Sequence, residues 1–242
     1  MLKINSVSLV CDHCDLLNDI TLELRENELY TIIGPEGSGK TSLAQLIAGN
    51  PNLTQISGSI MLKRKNITKL DSEERSKLGI FVTSQRPPTI DGVTNLQLIK
   101  EILKVSGDTR SLTEIEKDYK SYASMLGLGS SHGMKIINDH SSLIGDSLKN
   151  ELLQMLMIDP LVAVLDSIDD QVDQNDLDII AEVITAFIAK KDKMCLLLTN
   201  NKSLMEKIKS TTISVLVGGE ICATGDGELY KRIIDDDYSQ LL

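Results

Sequence analysis

Basic residues are scarce in this chain of 242 residues. It has 25 Lys and Arg against 35 Asp and Glu, which gives a formal net charge of −10. Proteins that bind free nucleic acid need a positive patch that neutralises phosphates, and an acidic chain disfavours one. The one basic run, Lys63-Arg64-Lys65, is interpreted as the solvated tip of a hairpin. We therefore expect no nucleic-acid partner.

Long apolar runs are also missing. No run approaches the roughly 18 to 20 residues of a membrane-spanning helix. The N-terminus lacks a basic region followed by an apolar one and a cleavage site. These absences predict no direct membrane insertion and a place in the cytosol or a similar compartment. The hydrophobic content of 41% still allows a large core, in one domain or in a domain with an inserted lobe.

Cysteine is sparse too, with four in the chain, two of them at the ends of the segment Cys11 to Cys14 (Cys-Asp-His-Cys). Two thiolates and an imidazole are possible ligands for zinc or an iron–sulfur cluster, but such a site normally needs a fourth ligand. Cys195 and Cys222 fall in predicted strands without a second ligand at metal spacing. We interpret the segment as an exposed loop with reduced thiols between strands at 2–10 and 20–24. Metal binding is the alternative, and zinc or iron in the purified protein would establish it.

The residues from Gly34 to Thr41 have the spacing Gly-x-x-x-x-Gly-Lys-Thr of a phosphate-binding loop. Glycines let successive backbone N–H groups curl around an anionic phosphate where side chains would clash. The lysine, Lys40, is expected to reach the β- and γ-phosphates, and the Thr41 hydroxyl to ligate Mg²⁺. The predicted nucleotide-binding residues are Gly34, Pro35, Glu36, Gly37, Ser38, Gly39, Lys40, Thr41 and Ser42.

The context of the loop supports this interpretation. Residues 29–33 predict a buried strand that runs into the loop, and residues 42–48 predict a helix that stops at Gly49. A helix N-terminus directed at the phosphates adds its own positive dipole. A chance glycine-rich turn would not be expected between such a strand and helix.

The rest of the chain alternates strand and helix signals, as an α/β nucleotide-binding core does. Asp166 ends an apolar strand at 161–166, where a protein with a phosphate loop places its second Mg²⁺ contact. The alternative is an ordinary polar residue leaving a strand. Further segments predict helices at 176–189, from about 203, and at 228–234, and strands at 194–199, 212–217 and 220–224.

Between residues 87 and 145 helical signals replace strand signals. Residues 95–105 predict one helix, and the capping box Ser111-x-x-Glu114 opens another. The predicted fold class is therefore α/β, with a mixed sheet core, a β-rich edge and an inserted helical lobe at 87–145, in a single domain spanning 1–242.

The order of these parts resembles the ABC-type ATPases, a class of P-loop NTPases, and most closely the SufC ATPases of the SUF iron–sulfur cluster assembly machinery. The resemblance covers nearly the whole chain. Beyond the phosphate loop, the segments that carry it are 79–95, with Gln85 and a following Gly-Val-x-Asn, then 150–156, the strand ending at Asp166, 219–221 and 224–226. It implies ATP and Mg²⁺ as cofactors, SUF scaffold subunits as partners and an ATP-dependent head-to-tail dimer. The resemblance also implies that Gln85 contacts Mg²⁺ and the attacking water and acts with Asp166 in catalysis. The implied metal ligands are Thr41, Gln85 and Asp166.

Several functional positions of that family are altered here. Leu143-Ile144-Gly145 stands where the family has the signature Ser-Gly-Gly that clamps the γ-phosphate held by the opposite subunit. Apolar side chains cannot donate those hydrogen bonds, and isoleucine lacks the backbone freedom of glycine. Ser167 replaces the glutamate that polarises water, and its hydroxyl is a far weaker base. Asn200 replaces the switch histidine and cannot shuttle a proton. The loop 169–173 has lost its Ser-Gly.

These replacements predict a protein that binds Mg-ATP but hydrolyses it weakly or not at all. In a homodimer both composite sites would carry every defect, and in a heterodimer with an intact relative neither site would be whole. One alternative is an active SUF ATPase in which Gln85, Asp169 or a partner supplies the missing roles. Another is a nucleotide-binding subunit of an ABC transporter. A GTPase is less expected, because the Asn-Lys-Ser-Leu from Asn201 lacks the aspartate that pairs with guanine.

The sequence gives little indication of which nucleotide base the site prefers. Aromatic residues make up 3% of the chain, Trp is absent, and no clear aromatic precedes Ile20 on which adenine would stack. Glu36 also departs from the usual Asn or Ser of the family and brings a carboxylate near the phosphates. Like-charge repulsion there could weaken nucleotide affinity.

Overall fold

The computed structural model describes residues 1–11, 14–55, 57–83, 90–137, 144–169 and 172–234. Its strands are β1 (Leu2–Cys11), β2 (Cys14–Leu24), β3 (Glu28–Ile33), β4 (Thr54–Gln55), β5 (Ser59–Leu62), β6 (Lys65–Asn66), β7 (Ile80–Val82), β8 (Val162–Asp166), β9 (Met194–Leu198), β10 (Thr212–Val217) and β11 (Glu220–Gly225). Its helices are α1 (Lys40–Ala48), α2 (Ser72–Lys77), α3 (Asn95–Val105), α4 (Leu112–Met125), α5 (Ile144–Ile158), α6 (Gln174–Ala189), α7 (Lys202–Lys207) and α8 (Gly227–Ile234). The α/β fold class is confirmed.

The central sheet has the strand order β11-β10-β3-β9-β8-β7. Its neighbours pair in parallel except for the edge hairpin of β10 and β11. Every residue of β3, β8 and β9 is buried, as expected of parallel strands covered on both faces. Because these strands are parallel, the loops that follow β3, β8, β9 and β10 all leave from the same edge of the sheet.

A second, antiparallel sheet with the order β2-β1-β5-β6, and with β4 paired to β1, covers one side of the core. Its apolar residues form a hydrophobic cluster with Leu43 and Ile47 of α1 and with one face of the central sheet. The opposite face packs in another cluster with α3 to α8, which includes Leu152 and the fully buried Phe187. Helix α1 is thus held between the two sheets, and it directly follows the phosphate loop.

Helices α3, α4 and the start of α5 lie in the segment expected to be a helical lobe. The predicted capping box is confirmed, because Ser111 accepts from the Glu114 N–H and the Glu114 carboxylate accepts from the Ser111 N–H. Helix α5 continues to Ile158. Residue 87 lies outside the described residues, so the lobe boundaries at 87 and 145 and the single-domain assignment stay predictions.

The N-terminal hairpin is longer than predicted. Strand β2 begins at Cys14, where the sequence indicated a loop lasting until residue 20. Residues 15–19 are not consistently apolar, but their backbone pairs with β1 through three register shifts, which local propensity does not reveal. Cys11 and Cys14 are therefore strand residues, and only residues 12 and 13, outside the described ranges, connect the strands. None of the helices in the described part of the chain is long and apolar enough to span a bilayer.

Candidate nucleotide-binding site

A cleft of about 620 Å³ opens at the carboxyl edge of the central sheet. Four connections meet there, as the parallel topology requires: the phosphate loop after β3, Ser167 after β8, Asn200 after β9, and the turn at Gly218 and Gly219 after β10. The cleft is also lined by residues 36–42 of the phosphate loop and the first turns of α1. The structure thus brings together residues from as far apart in sequence as Asp15 and Gly219.

Two glycines of the phosphate loop have backbone angles that suit no other residue. Gly37 has φ 74° and Gly39 has φ 104°, both in the left-handed region. A Cβ at Gly39 would lie 2.9 Å from the carbonyl oxygen of Leu16, so this position also requires the absence of a side chain. Gly39 is the N-cap of α1, whose first N–H groups are directed into the cleft edge.

The Lys40 side chain folds back over the concave side of the loop. Its ammonium donates to the carbonyl oxygens of Gly34 at 2.6 Å and Pro35 at 2.9 Å, and to Ser38 Oγ at 3.3 Å. These contacts hold the charge beside the backbone that would surround a phosphate. The sequence predicted a cation at this place. Glu36 lies exposed on the same loop.

Asn200 contacts the phosphate loop directly. Its side-chain Oδ1 accepts a hydrogen bond from the Gly34 N–H at 3.0 Å. Sequence reasoning identified Asn200 only as a lost switch histidine and missed this contact, because the two residues are 166 positions apart. The amide at this position therefore restrains the start of the loop.

We expect Asn200→Ala to lower the free energy of unfolding by about 1 kcal/mol, since one partly buried N–H loses its acceptor. Chemical denaturation would measure this loss, with Asn52→Ala as the matched control on an exposed residue. Equal unfolding midpoints for the two variants would contradict a restraining role.

Asp166 and Ser167 form the next part of the site. Asp166 is 3% exposed at the end of β8, and its backbone N–H donates to Thr83 Oγ1 at 2.8 Å. Ser167 has φ 52° and its hydroxyl donates to Asp166 Oδ1 at 3.3 Å. A hydroxyl whose proton points at the neighbouring carboxylate is poorly suited to take a proton from water.

Asp166 and Thr41 border a second cavity of about 660 Å³ beside α1, together with Thr83. Carboxylate and hydroxyl oxygens are the donors that Mg²⁺ prefers. Their shared cavity therefore fits a magnesium ion next to the phosphate loop. Gln85, the third predicted ligand, lies outside the described residues.

Asp169, the alternative catalytic carboxylate, is turned to the protein interior. It is 4% exposed, and one carboxylate oxygen accepts a hydrogen bond from the Thr199 hydroxyl. Thr199 Oγ1 in turn accepts from the Asn201 N–H at 2.9 Å. A buried carboxylate in such a chain is occupied in positioning the loop after β9, which makes it a weak candidate for polarising water in the cleft.

The start of α5 corresponds to the altered signature. Leu143 and the side chain of Ile144 lie outside the described parts. A Cβ at Gly145 would be 3.1 Å from Asp176 Oδ2, and Lys149 Nζ lies 2.6 Å from Asp176 Oδ1. Asp146 adds another carboxylate in the first turn of α5. Because Asp176 is ion-paired with Lys149, Asp146 is the carboxylate that disfavours a phosphate at the start of this helix.

The possible metal ligands Cys11, His13 and Cys14 lie outside the side chains that the structure describes, so metal binding there stays an open alternative. In the described ranges no group of three or more His, Cys, Asp or Glu side chains is placed to hold a metal ion. Cys195 is buried, and burial raises the pKa of its thiol, whereas Cys222 is exposed. Neither is therefore a ligand partner for the hairpin cysteines among the described residues.

Comparison with known families decides the class of this site. The family model described as ABC transporter matches residues 17–168, which is more than half of the chain and includes the phosphate loop and Asp166. The chain belongs to the ABC transporter family. The P-loop NTPase fold expected from the resemblance is confirmed. ABC cassettes bind ATP, and the cleft described above contains the phosphate loop of this cassette.

Curated relatives agree with the family at moderate identity. A probable ABC transporter ATP-binding protein of Streptococcus pyogenes serotype M3 is 29% identical over 242 residues, covering 99% of this chain and 94% of that protein. Vegetative protein 296 of Bacillus subtilis is 28% identical over 227 residues, covering 93% of this chain and 86% of that protein.

Solved ABC cassettes have the same fold. A dimeric ATP-binding cassette in a post-hydrolysis state, bound to ADP and Pi, superposes with a TM-score of 0.82 at 18% identity, covering 93% of this chain and 98% of that one. The ATP-binding subunit of an ABC transporter superposes with a TM-score of 0.83 at 17% identity, covering 100% and 99%. At these identities the likeness establishes the fold alone.

Proposed function

We propose that this ABC cassette is a SufC-like subunit of iron–sulfur cluster assembly that binds Mg-ATP, hydrolyses it weakly or not at all, and uses nucleotide binding to regulate docking to a SUF scaffold partner. One observation carries the proposal. A single cleft combines a complete phosphate loop with Ser167 and Asn200, two residues that cannot act as general base or proton shuttle at neutral pH.

The residues proposed to bind the phosphates and Mg²⁺ are intact. Lys40 is held over the concave loop, where its ammonium can exchange carbonyl contacts for phosphate oxygens. Thr41 and Asp166 border one cavity and supply oxygen ligands for Mg²⁺, with Gln85 as a further ligand. When bound, the ion would neutralise charge between the β- and γ-phosphates.

The residues expected to hydrolyse ATP, and those expected to hold the γ-phosphate of the opposite subunit, are altered in three places. The Ser167 hydroxyl donates a hydrogen bond to Asp166, and the Asn200 side chain accepts one from the Gly34 N–H. Carboxylates of Asp146 and Asp176 lie at the start of α5, where a head-to-tail dimer would present this helix to the partner's nucleotide. Asp176 is paired with Lys149, so the negative charge that would repel a γ-phosphate at this point is that of Asp146, which adds to the missing donors at Leu143 and Ile144.

The SUF assignment and the transporter alternative predict different partner proteins. The segment 79–95 favours the SUF type, whereas the names of the Streptococcus relatives favour a nucleotide-binding subunit of an ABC transporter. Purification of the tagged protein with and without Mg-ATP tests this choice. Recovery of SUF scaffold subunits supports our proposal, and recovery of a membrane permease supports the transporter alternative.

We expect calorimetry to detect Mg-ATP binding while steady-state phosphate release is about 10² to 10⁴ times slower than in a cassette with an intact glutamate, because the general base is absent. Lys40→Ala should remove binding, and Lys65→Ala, an equal charge change on the exposed strand β6, should not. Turnover at the rate of an intact cassette, abolished by Lys40→Ala, would favour the active-ATPase alternative. Loss of turnover in Gln85→Ala or Asp169→Ala would then identify the substitute group.

A further inference from the structure

A small cavity lies between the start of α3 and the first two turns of α5. Its volume is about 10 Å³, which is room for a single particle of the size of a water molecule. All but one of its lining residues are polar, and they come from α3, from the segment before α5 and from α5 itself. The polar lining residues are Asn95, His132, Lys135, Asp146, Ser147 and Asn150.

Asn95 contributes an oxygen that lacks a partner. This residue is 4% exposed, and its Nδ2 donates to the carbonyl oxygens of His132 at 3.1 Å and Lys135 at 3.2 Å. Because both partners are carbonyls, the amide cannot be turned round, and Oδ1 must face away from them. Oδ1 is buried and accepts no hydrogen bond from any described residue. A buried oxygen in this state requires a hydrogen-bond donor or a cation from a ligand.

Helix α5 brings further oxygens to the same cavity. Asp146, Ser147 and Asn150 lie within one turn of each other, on the side of the helix that borders the cavity. Asn150 is 4% exposed, and its side chain forms no hydrogen bond to another described residue. The Asp146 carboxylate has no ion pair in the described part of the chain, and the nearby Lys149 is paired with Asp176. The oxygens around the cavity therefore include one unneutralised carboxylate.

The two basic residues of the lining leave the cavity without a resident positive charge. Burial, and to a smaller extent the charge of Lys135, lower the pKa of His132, so the imidazole is neutral near pH 7. The Tyr119 hydroxyl lies 2.8 Å from His132 Nδ1 and fixes the ring. Lys135 is exposed, so its ammonium can stay in solvent while its stem lines the cavity.

We propose that this cavity binds a monovalent cation of the size of sodium, held by the oxygens of Asn95, Asp146, Ser147 and Asn150. Hard cations take oxygen ligands, and amide, hydroxyl and carboxylate oxygens are all available here. One carboxylate balances one positive charge, and the volume of about 10 Å³ excludes an organic ammonium ion. The site is separate from the cavity of Thr41 and Asp166 that fits magnesium.

The cation would act on the start of α5. Asp146 is the carboxylate that disfavours a phosphate there, and a bound cation neutralises it while linking α5 to Asn95 of α3. This step rests on the proposed function, in which a head-to-tail dimer presents the start of α5 to the partner's nucleotide. We expect sodium to raise the dimerisation constant with Mg-ATP about two- to fivefold, the usual effect of one charge at a helix terminus.

Thermal unfolding of the full-length protein without nucleotide tests the site itself. Sodium chloride is titrated against choline chloride at constant ionic strength, since choline is too large for the cavity. The Tm should rise by about 3 to 6 °C at a sodium concentration ten times the Kd. Asp146→Asn should abolish this shift, and Ser147→Ala should reduce it. Glu101→Gln, an equal charge change on the exposed face of α3, is the matched control and should keep the full shift.

Equal Tm values in the two salts would overturn the site, because water would then fill the cavity. A full shift in Asp146→Asn would overturn it as well, since it would show a general effect of salt. Sedimentation of the wild type with Mg-ATP then compares dimerisation in sodium and in choline. A dimer fraction that ignores sodium would overturn the regulatory role. Absence of any ATP-dependent dimer would contradict the proposed function, and the Tm shift, measured without ATP, distinguishes that failure from failure of the cation site.

Discussion

Arg75→Met is expected to lower the free energy of unfolding by about 3 kcal/mol or more, because it removes the donors of four hydrogen bonds at once. Arg75 is 3% exposed, and none of its contacts among the described residues is a carboxylate. Its guanidinium donates to the carbonyl oxygens of Leu46 and Ile47 at 2.7 and 3.0 Å, and of Thr68 and Leu70 at 3.0 and 2.9 Å.

The carbonyls at residues 46 and 47 belong to the last turn of α1, where helical carbonyls lack the usual partner four residues on. The Leu46 carbonyl also accepts from the Gly49 N–H at 3.2 Å. Arg75 from α2 donates to both, and burial lowers the pKa of its guanidinium. The side chain thereby anchors the far end of the helix whose first turn forms the phosphate cradle. A methionine of similar length would fill the space but would remove the donor to all four carbonyls, of which that of Leu46 would keep the Gly49 N–H.

Denaturant unfolding followed by circular dichroism would measure the effect. Lys77→Met on the same helix is the matched control, because the Lys77–Glu73 pair is 55% and 75% exposed and an exposed ion pair contributes little to stability. Arg75→Lys retains the charge but reaches fewer carbonyls, so we expect an intermediate loss. An Arg75→Met midpoint equal to that of Lys77→Met would show that water satisfies these carbonyls.

Gly34→Ala has the second large expected effect. A Cβ at Gly34 would lie 2.0 Å from the Leu216 carbonyl oxygen and 3.0 Å from Ser38 Oγ. The contact at 2.0 Å is with backbone, so β3 and β10 would have to separate or the phosphate loop would have to move. We expect a loss of about 3 kcal/mol or more in the free energy of unfolding, together with loss of Mg-ATP binding.

Gly37→Ala provides the matched control for this substitution. Its φ of 74° makes alanine unfavourable by about 1 to 2 kcal/mol, but no atom lies within 4 Å of the added Cβ. Thermal unfolding and ATP calorimetry of both variants separate steric exclusion from backbone strain. A Gly37→Ala variant as unstable as Gly34→Ala would show that left-handed backbone, and not the contact with Leu216, dominates.

Much of the fold was predictable because its signals are local. The helix predicted at 95–105 is α3, and the capping box at Ser111 begins α4, since both depend on spacing within one segment. The turn at Gly218 and Gly219 joins β10 and β11 as expected. The first part of β2 was missed because its pairing with β1, interrupted by bulges, is a property of two strands and not of either sequence alone.

The candidate site also has some residues that local sequence predicted and others whose contacts only the structure revealed. The phosphate loop, Asp166 and the replaced residue Ser167 were found from sequence because each belongs to a contiguous motif at the end of a strand. The contact of Asn200 with Gly34 and the buried pair of Thr199 and Asp169 had no local signal. They exist because parallel strands remote in sequence end side by side.

The sequence by itself thus determined an α/β chain with a complete phosphate loop and altered catalytic positions, since backbone propensity and side-chain chemistry act within a few residues. Only the tertiary structure decided that Asn200 contacts Gly34, that Ser167 contacts Asp166 and that Asp176 lies beside Gly145. Those contacts depend on strand register and on packing between distant elements, which no single segment encodes.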